Sequence, residues 1–227
     1  MRLKAGARQI RKMIAALLEF SRTTAKGRKI NEIRNELMGI EGKATATYFL
    51  EFGNLFPKEF WVLTRTRRPP TDPVNALLSL GYTILQGHIT TAIASAGLEL
   101  YGGYLHSDRS GKPSLALDLL EEFRQPVVDR LVARLIQKGQ FKVDDFEKSL
   151  QGYRLAQEKK SFYYNELKQE IAGGSASVEL FGKSQEKIQK EKAVRINFKK
   201  EMVRQARKVA NFLIGASSTY EPFVMNW

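Results

Sequence analysis

The chain has 227 residues, 43% of them hydrophobic, and sets 37 Lys and Arg against 24 Asp and Glu, a formal net charge of +13. That length supports one large helical domain or two small ones with a proper core, and the cation excess favours a polyanionic partner, most simply nucleic acid. The absence of cysteine excludes disulfides, thiolate nucleophiles and cysteine-ligated zinc, and fits a reducing, cytoplasmic setting.

Residues 6–24 predict an amphipathic helix with an apolar stripe of Ile10, Ile14, Leu17, Leu18 and Phe20. This start is basic, but Glu19 and Arg22 interrupt its apolar run and no small-residue cleavage site follows, so it is not read as a signal peptide. No stretch approaches membrane-spanning length, and no membrane partner is expected. A basic turn (25–29) leads to a second helical stretch, INEIRNELMG, which meets Gly39 and Gly42. The pattern resumes in a third stretch, KATATYFLEFGNLF, where Ala44, Tyr48, Phe52 and Leu55 recur at helical spacing. Glu41 lies beside that apolar face, either as a first-turn carboxylate favoured by the helix dipole or as a metal-ligand candidate.

Residues 57–73 hold four prolines and three arginines, Arg65, Arg67 and Arg68. Proline stiffens the loop and lowers the entropy lost when its arginines meet phosphate; an ordinary solvated basic loop is the alternative. Asp72 or Thr71 followed by Pro73 marks a helix start, and the helix from Val74 to about Gly97 is apolar on most sides and central. Asn75 near its start is placed to cap or orient a neighbouring loop. His88, inside that helix, reads as packed or surface-facing rather than as a ligand.

Gly97, Gly102 and Gly103 make a tight connection to His106 and a polar turn (107–113). Ser114 is the expected N-cap of the next helix, which Pro126 kinks or divides. KVDDFEKSL opens another segment, LAQEKKSFYYNELKQEI reads as helix, and GGSAS (173–177) as a loop. A last, very basic helical pattern from Glu179 carries Val194, Ile196, Phe198, Met202, Val209, Phe212 and Leu213 as apolar positions, before an aromatic tail that docks on its own core or on a partner. Strand signals are few; short pieces such as FKV (141–143) pair locally at most, and the fold class is all-α.

No phosphate-binding or dinucleotide fingerprint appears. The turn after His106 lets the chain reverse, so His106 and Glu121 can meet, and Asp118 and Glu121 share one face of a helix. Glu41, His106 and Glu121 together would leave coordination positions for water and phosphate oxygens on Mg²⁺ or Mn²⁺, with Asp118 orienting a ligand or helping a second ion. The alternative is a capped surface helix with salt bridges to Arg109, Lys112 and Arg124.

The stretches MGIEGKATATYF, RTRRPPTDPVNALLSLGYTIL, LHSDRSGKPSLALDLLEEFRQPVVDR and FKKEMVRQARKVANFLIG…YEPF resemble the CRISPR adaptation integrase family, over roughly residues 30–227. The resemblance implies an all-helical catalytic domain that joins short spacer DNA to a CRISPR array. It implies that Glu41, His106 and Glu121 hold Mg²⁺ or Mn²⁺ and that Asp118 stands beside the site. Arg124 falls at a basic position near the active centre; Arg65, Arg67, Arg68 and Asn75 help organise the site and its DNA, and Arg109 and Lys112 join them as candidate DNA contacts. Expected partners are double-stranded DNA and further copies of the chain, as a dimer or tetramer; use of a small accessory adaptation protein stays open. Members of the family usually carry an N-terminal β-rich domain, whereas here residues 1–29 read as a helix, a candidate oligomerisation element, so the sequence resembles the compact form; a fragment is the alternative. A nonspecific metal-dependent repair nuclease and a catalytically silent architectural DNA binder are the other functions weighed.

Overall fold

The structure, a computed structural model, describes residues 2–23, 27–106, 111–173 and 196–225. Helix α1 (Arg2–Arg22) packs against α2 (Ile30–Gly53). Ile10 and Leu17 of the expected stripe are half-buried, while Ile14 and Leu18 stay about half exposed. The second and third expected stretches form one continuous helix, α2. Gly39 and Gly42 do not break it: each costs about 1 kcal/mol relative to alanine, and strong helix formers such as Glu36, Leu37, Met38 and Glu41 surround them. Tyr48, Phe49, Phe52 and Phe56 then interlock edge-to-face and stacked, with centroids 4.9–6.0 Å apart.

A single 3₁₀ turn (Lys58–Phe60) and the proline loop lead into α3 (Pro73–Ser95). The start is as the sequence dictates: Asp72 caps, its carboxylate accepting from the Asn75 amide at 2.8 Å, and Pro73 takes the first helical position, where a missing N–H costs nothing. Leu77, Leu78, Leu85, Ile89 and Ile93 are fully buried, so α3 is the central element. It touches α4 (Ser114–Phe123), the segment that follows α4, and α7 (Phe198–Leu213). Ser114 is the first residue of α4, not its cap; Pro113 stands at the cap position.

Pro126 does divide its helix, by a specific route. Residues Arg124–Asp129 form a π-helical turn between α4 and α5 (Arg130–Gln137). Proline has no N–H for the carbonyl four residues back, and the ladder widens: the Arg130 amide bonds Gln125, five residues earlier.

The strand pairing lies beyond FKV. Strands β1 (Phe146–Ser149) and β2 (Gly152–Leu155) form an antiparallel hairpin, so the all-helical expectation needs this one addition. Phe141 instead packs on Phe146, Phe162 and Tyr163 as part of the core. Helix α6 (Gln157–Ala172) ends at Gly173, whose φ of +81° lies in the left-handed region that favours glycine. In the final basic pattern Phe198, Met202 and Val209 of α7 are buried, Phe212 and Leu213 are exposed, and Val194 lies outside the described residues. The tail docks on its own core: Phe223 stacks on Phe123 with centroids 5.3 Å apart, and its amide donates to Glu122, which also accepts from the Tyr220 hydroxyl.

Three elements converge at Gly81 on α3. A β-carbon there would lie 2.4 Å from the Tyr163 hydroxyl and 2.5 Å from Val128 Cγ1, and that hydroxyl donates to the Leu77 carbonyl at 3.0 Å. Gly81→Ala therefore forces α3 away from the π-turn and α6. We expect a loss of about 1–3 kcal/mol, typical of an overpacked core, read as a lower urea midpoint with an unchanged slope.

Candidate active site

Asp118, in the second turn of α4, organises the connection before it. Its carboxylate accepts the backbone amides of Tyr104 (2.5 Å), Leu105 (3.0 Å) and His106 (2.9 Å), and its Oδ1 lies 2.6 Å from His106 Nδ1. Burial would raise the Asp118 pKa, but the hydrogen bonds from the His106 ring and the three amides outweigh it and hold the carboxyl below its usual range. An ionised carboxylate against Nδ1 places the proton there, which leaves Nε2 as a lone-pair donor.

One turn along, Glu121 accepts from Arg124. Burial pushes its carboxyl up, the Arg124 guanidinium opposes that, and the nearby Glu41 carboxylate adds to the rise. Glu41 reaches the same place from α2. Both carboxylates line one cavity of about 510 Å³, together with Arg65 and Arg67 of the proline loop. His106 stands close enough to favour the ionised form of Glu121. The fold thus brings Glu41, His106 and Glu121 from two helices and a loop to one region. Among the described residues, no three His, Asp or Glu side chains are drawn together tightly enough to form a ready coordination shell. The donor types, two carboxylates and an imidazole lone pair, suit a divalent cation. The Glu41–Glu121 repulsion is what such an ion would relieve.

The arginines divide by position. Arg67 and Arg68 are exposed, as is Lys112; Arg109 lies outside the described residues. Arg65 turns inward, donating to Asn75 Oδ1 at 2.8 Å, to Ser79 Oγ at 3.0 Å and to its neighbour Thr66's carbonyl. Asn75 is fully buried and knots the loop to α3, giving Nδ2 to the Thr64 carbonyl and accepting the Thr66 amide. Arg124 pairs with Glu121 at the cavity wall.

A second layer escaped the sequence reading. Asp129, 2% exposed, accepts the hydroxyls of Tyr48 (2.8 Å, α2) and Tyr82 (2.5 Å, α3). The guanidinium carbons of Arg65 and Arg124 lie 5.2 and 4.9 Å from the Tyr82 ring centroid. Burial lifts the Asp129 carboxyl to about 6, against the two hydroxyls and the two arginines, which all favour its ionised form. Tyr48, Tyr82 and Asp129 line the cavity too, so they form the wall behind the Glu41–Glu121 pair.

The family described as CRISPR associated protein Cas1 matches residues 1–169. The CRISPR-associated endonuclease Cas1 3 of Thermus thermophilus is 36% identical over 97% of the chain and 60% of its own length, so the chain spans less than two thirds of that relative. Among solved structures, a Cas6-RT-Cas1–Cas2 complex gives a TM-score of 0.71 at 30% identity, covering 97% of this chain and 22% of that one. A casposase bound to integration product gives 0.69 at 25% identity, covering 83% of this chain and 50% of that one.

The raised Asp129 carboxyl has a stability consequence with a definite sign. Between the ordinary aspartate value, about 3.9, and about 6, the folded chain binds more protons at this group than the unfolded chain. Its contribution to stability therefore falls as pH rises through that interval. Asp129→Asn does not titrate there. Urea unfolding at pH 4 and pH 7 should show wild type losing stability relative to Asp129→Asn across the interval; a constant difference would mean that the buried carboxyl does not titrate there.

Proposed function

The chain belongs to the CRISPR associated protein Cas1 family, and on that premise we propose that it is a divalent-metal-dependent DNA strand transferase that inserts short spacer DNA at the ends of CRISPR repeats. One observation carries the reading: α2 and α4 deliver Glu41 and Glu121 to one cavity whose walls also hold arginines, and the loop before α4 brings an Asp118-oriented His106 near enough to Glu121 to favour its ionised form. In that arrangement Glu41, Glu121 and His106 Nε2 would hold Mg²⁺ or Mn²⁺. The ion, when bound, supplies Lewis-acid polarisation of the target phosphoryl group and offsets charge on the departing oxygen.

The residues themselves do the rest. Asp118 fixes the ring and tautomer of His106. Arg67 at the cavity mouth is placed to take a non-bridging phosphate oxygen, and Arg124 keeps Glu121 ionised against burial. The 3′-hydroxyl of the incoming strand attacks a phosphodiester of the target; one P–O bond forms, one breaks, and the target strand leaves as a new 3′-hydroxyl. Phosphodiester count is conserved, so the step needs no nucleotide cofactor and no covalent enzyme intermediate. Water in place of the hydroxyl converts the same site to a nuclease.

Insertion on both strands needs two such centres, so the working unit contains at least two copies. The exposed Ile14 and Leu18 of α1 are candidate contacts between them. The presence of a related chain in a Cas1–Cas2 complex supports a small accessory partner of that type. No described helix is long and apolar enough to cross a membrane.

The test is joining of a short 3′-hydroxyl duplex to a supercoiled plasmid bearing a repeat array, with Mn²⁺ or Mg²⁺. Joined products should vanish in Glu41→Ala, His106→Ala and Glu121→Ala. Asp118→Asn should lower the rate by about 10–100-fold, as loss of a ligand-orienting partner does, with partial rescue at higher Mn²⁺. Cutting without joining would favour the nuclease, and DNA binding unaccompanied by any metal-dependent reaction would favour the architectural role.

A further inference from the structure

Beside the catalytic cavity lies a second depression of about 590 Å³, between the proline loop and the β1–β2 hairpin. Arg67, Arg68, Arg154 and Lys160 line it, and no acidic side chain among the described residues does. Arg67 lines the catalytic cavity as well, so the two depressions meet at that side chain.

The groove is a built surface. The Tyr153 amide donates to the Pro70 carbonyl at 2.9 Å, which fastens the hairpin to the loop. Gly152 has a φ of +89°, and a β-carbon on it would lie 2.3 Å from the Pro70 oxygen and 2.9 Å from Pro69 Cβ, so the close approach requires glycine. Two of the cations are held without being neutralised. Arg154 is fixed by the neutral Gln151 carbonyl (2.9 Å) and Lys160 by that of Gln157 (2.9 Å). Glu147 stands opposite Arg154 in the ladder, and neither it nor any other described carboxylate closes an ion pair with Arg67, Arg68, Arg154 or Lys160. Leu150, at the hairpin tip and wholly exposed, completes the groove with an apolar edge. Four cations lining one groove with no acidic partner among the described residues, two of them held in place by neutral glutamines, beside an aliphatic side chain fit a sugar–phosphate backbone better than an apolar peptide.

We propose that this groove is the track of a DNA backbone. The strand whose reacting phosphate occupies the catalytic cavity runs past Arg67 onto Arg68, Arg154 and Lys160, with Leu150 against its sugars or base edges. This rests on the strand-transfer reading of the cavity. The chemistry is shared by two sources, the incoming strand and the target strand beyond the attacked bond.

The probe is a branched DNA in which a duplex 3′ end is already joined to a second duplex, bound to the full 227-residue chain. Binding is followed by anisotropy over a range of KCl. The triple variant Arg68→Gln, Arg154→Gln, Lys160→Gln should lower the slope of log affinity against log salt by about 2.7, three contacts at 0.9 each. The equal-charge control Lys138→Gln, Lys200→Gln, Arg207→Gln, exposed elsewhere, should lower it far less. Equal slopes for the two triples would overturn the proposal. Because the chain has no cysteine, Leu150→Cys supplies one thiol for disulfide capture by phosphates carrying a thiol tether. Capture on the incoming strand identifies that strand as the occupant, capture on the target strand identifies the other, and capture on neither overturns the track. Joining activity is assayed on the same preparations. Wild type that fails to join while the slope and capture results hold would remove the strand-transfer reading and leave the groove; joining by wild type with unselective slopes and no capture would do the reverse.

Discussion

A missing amide hydrogen at Pro126 shapes the centre of this molecule. In a regular α-helix, residues five apart point about 140° away from each other, so Arg124 and Asp129 could not serve one wall. Proline removes the donor for the carbonyl four residues back, and the turn closes with the i→i+5 bond from Arg130 to Gln125. The wider turn swings residues five apart toward one face. Arg124 and Asp129 both line the Glu41–Glu121 cavity, one paired with Glu121 and the other collecting Tyr48 and Tyr82. The widened turn also presses on α3, where only glycine at position 81 leaves room for Val128 and Tyr163. Local backbone chemistry, helix packing and the site's rear wall thus share one cause.

Local signals in the sequence carried far into the fold. Asp72–Pro73 states a helix start in both cap chemistry and fixed φ, and α3 begins there. The spacing of Asp118 and Glu121 puts both on one helix face because helical spacing is enforced within a few residues, and the structure sets His106 Nδ1 2.6 Å from Asp118. The misreadings have equally definite causes. Gly39 and Gly42 resemble a break, but each is a modest penalty inside a long helix packed along α1. Ser114 resembles a cap, yet the chain enters α4 through Pro113 and the serine becomes a helical residue. The hairpin was missed because its place in the fold depends on Gly152 fitting against Pro70, a contact across 82 positions that no local pattern announces. Asp129 was missed for the same reason: its partners lie 81 and 47 residues away. Charge alone could not show which arginines face inward. Arg65 does because Asn75 and Ser79, one helical turn apart on α3, offer it acceptors.

If it works as proposed, the cavity must serve opposite electrostatic demands. Two carboxylates near one another suit a cation but repel a phosphate, and arginines suit the phosphate but weaken the hold on the cation. The fold separates the demands by depth and partner. Arg65 and Arg124 are committed to protein acceptors and to the Tyr82 ring, so their charge supports the carboxylates from behind. Arg67, exposed and shared between the cavity and the hairpin groove, is the cation left facing outward. A polyanion approaching along that side meets positive charge before it meets Glu41 and Glu121. On the proposed strand-transfer reading the order matters, because backbone contacts made away from the reacting phosphate can offset the repulsion felt at it. The net charge of +13 is therefore informative only once its members are placed: Arg65 and Arg124, fixed inward, build the cavity wall, and Arg67, left outward, is the one a polyanion would meet.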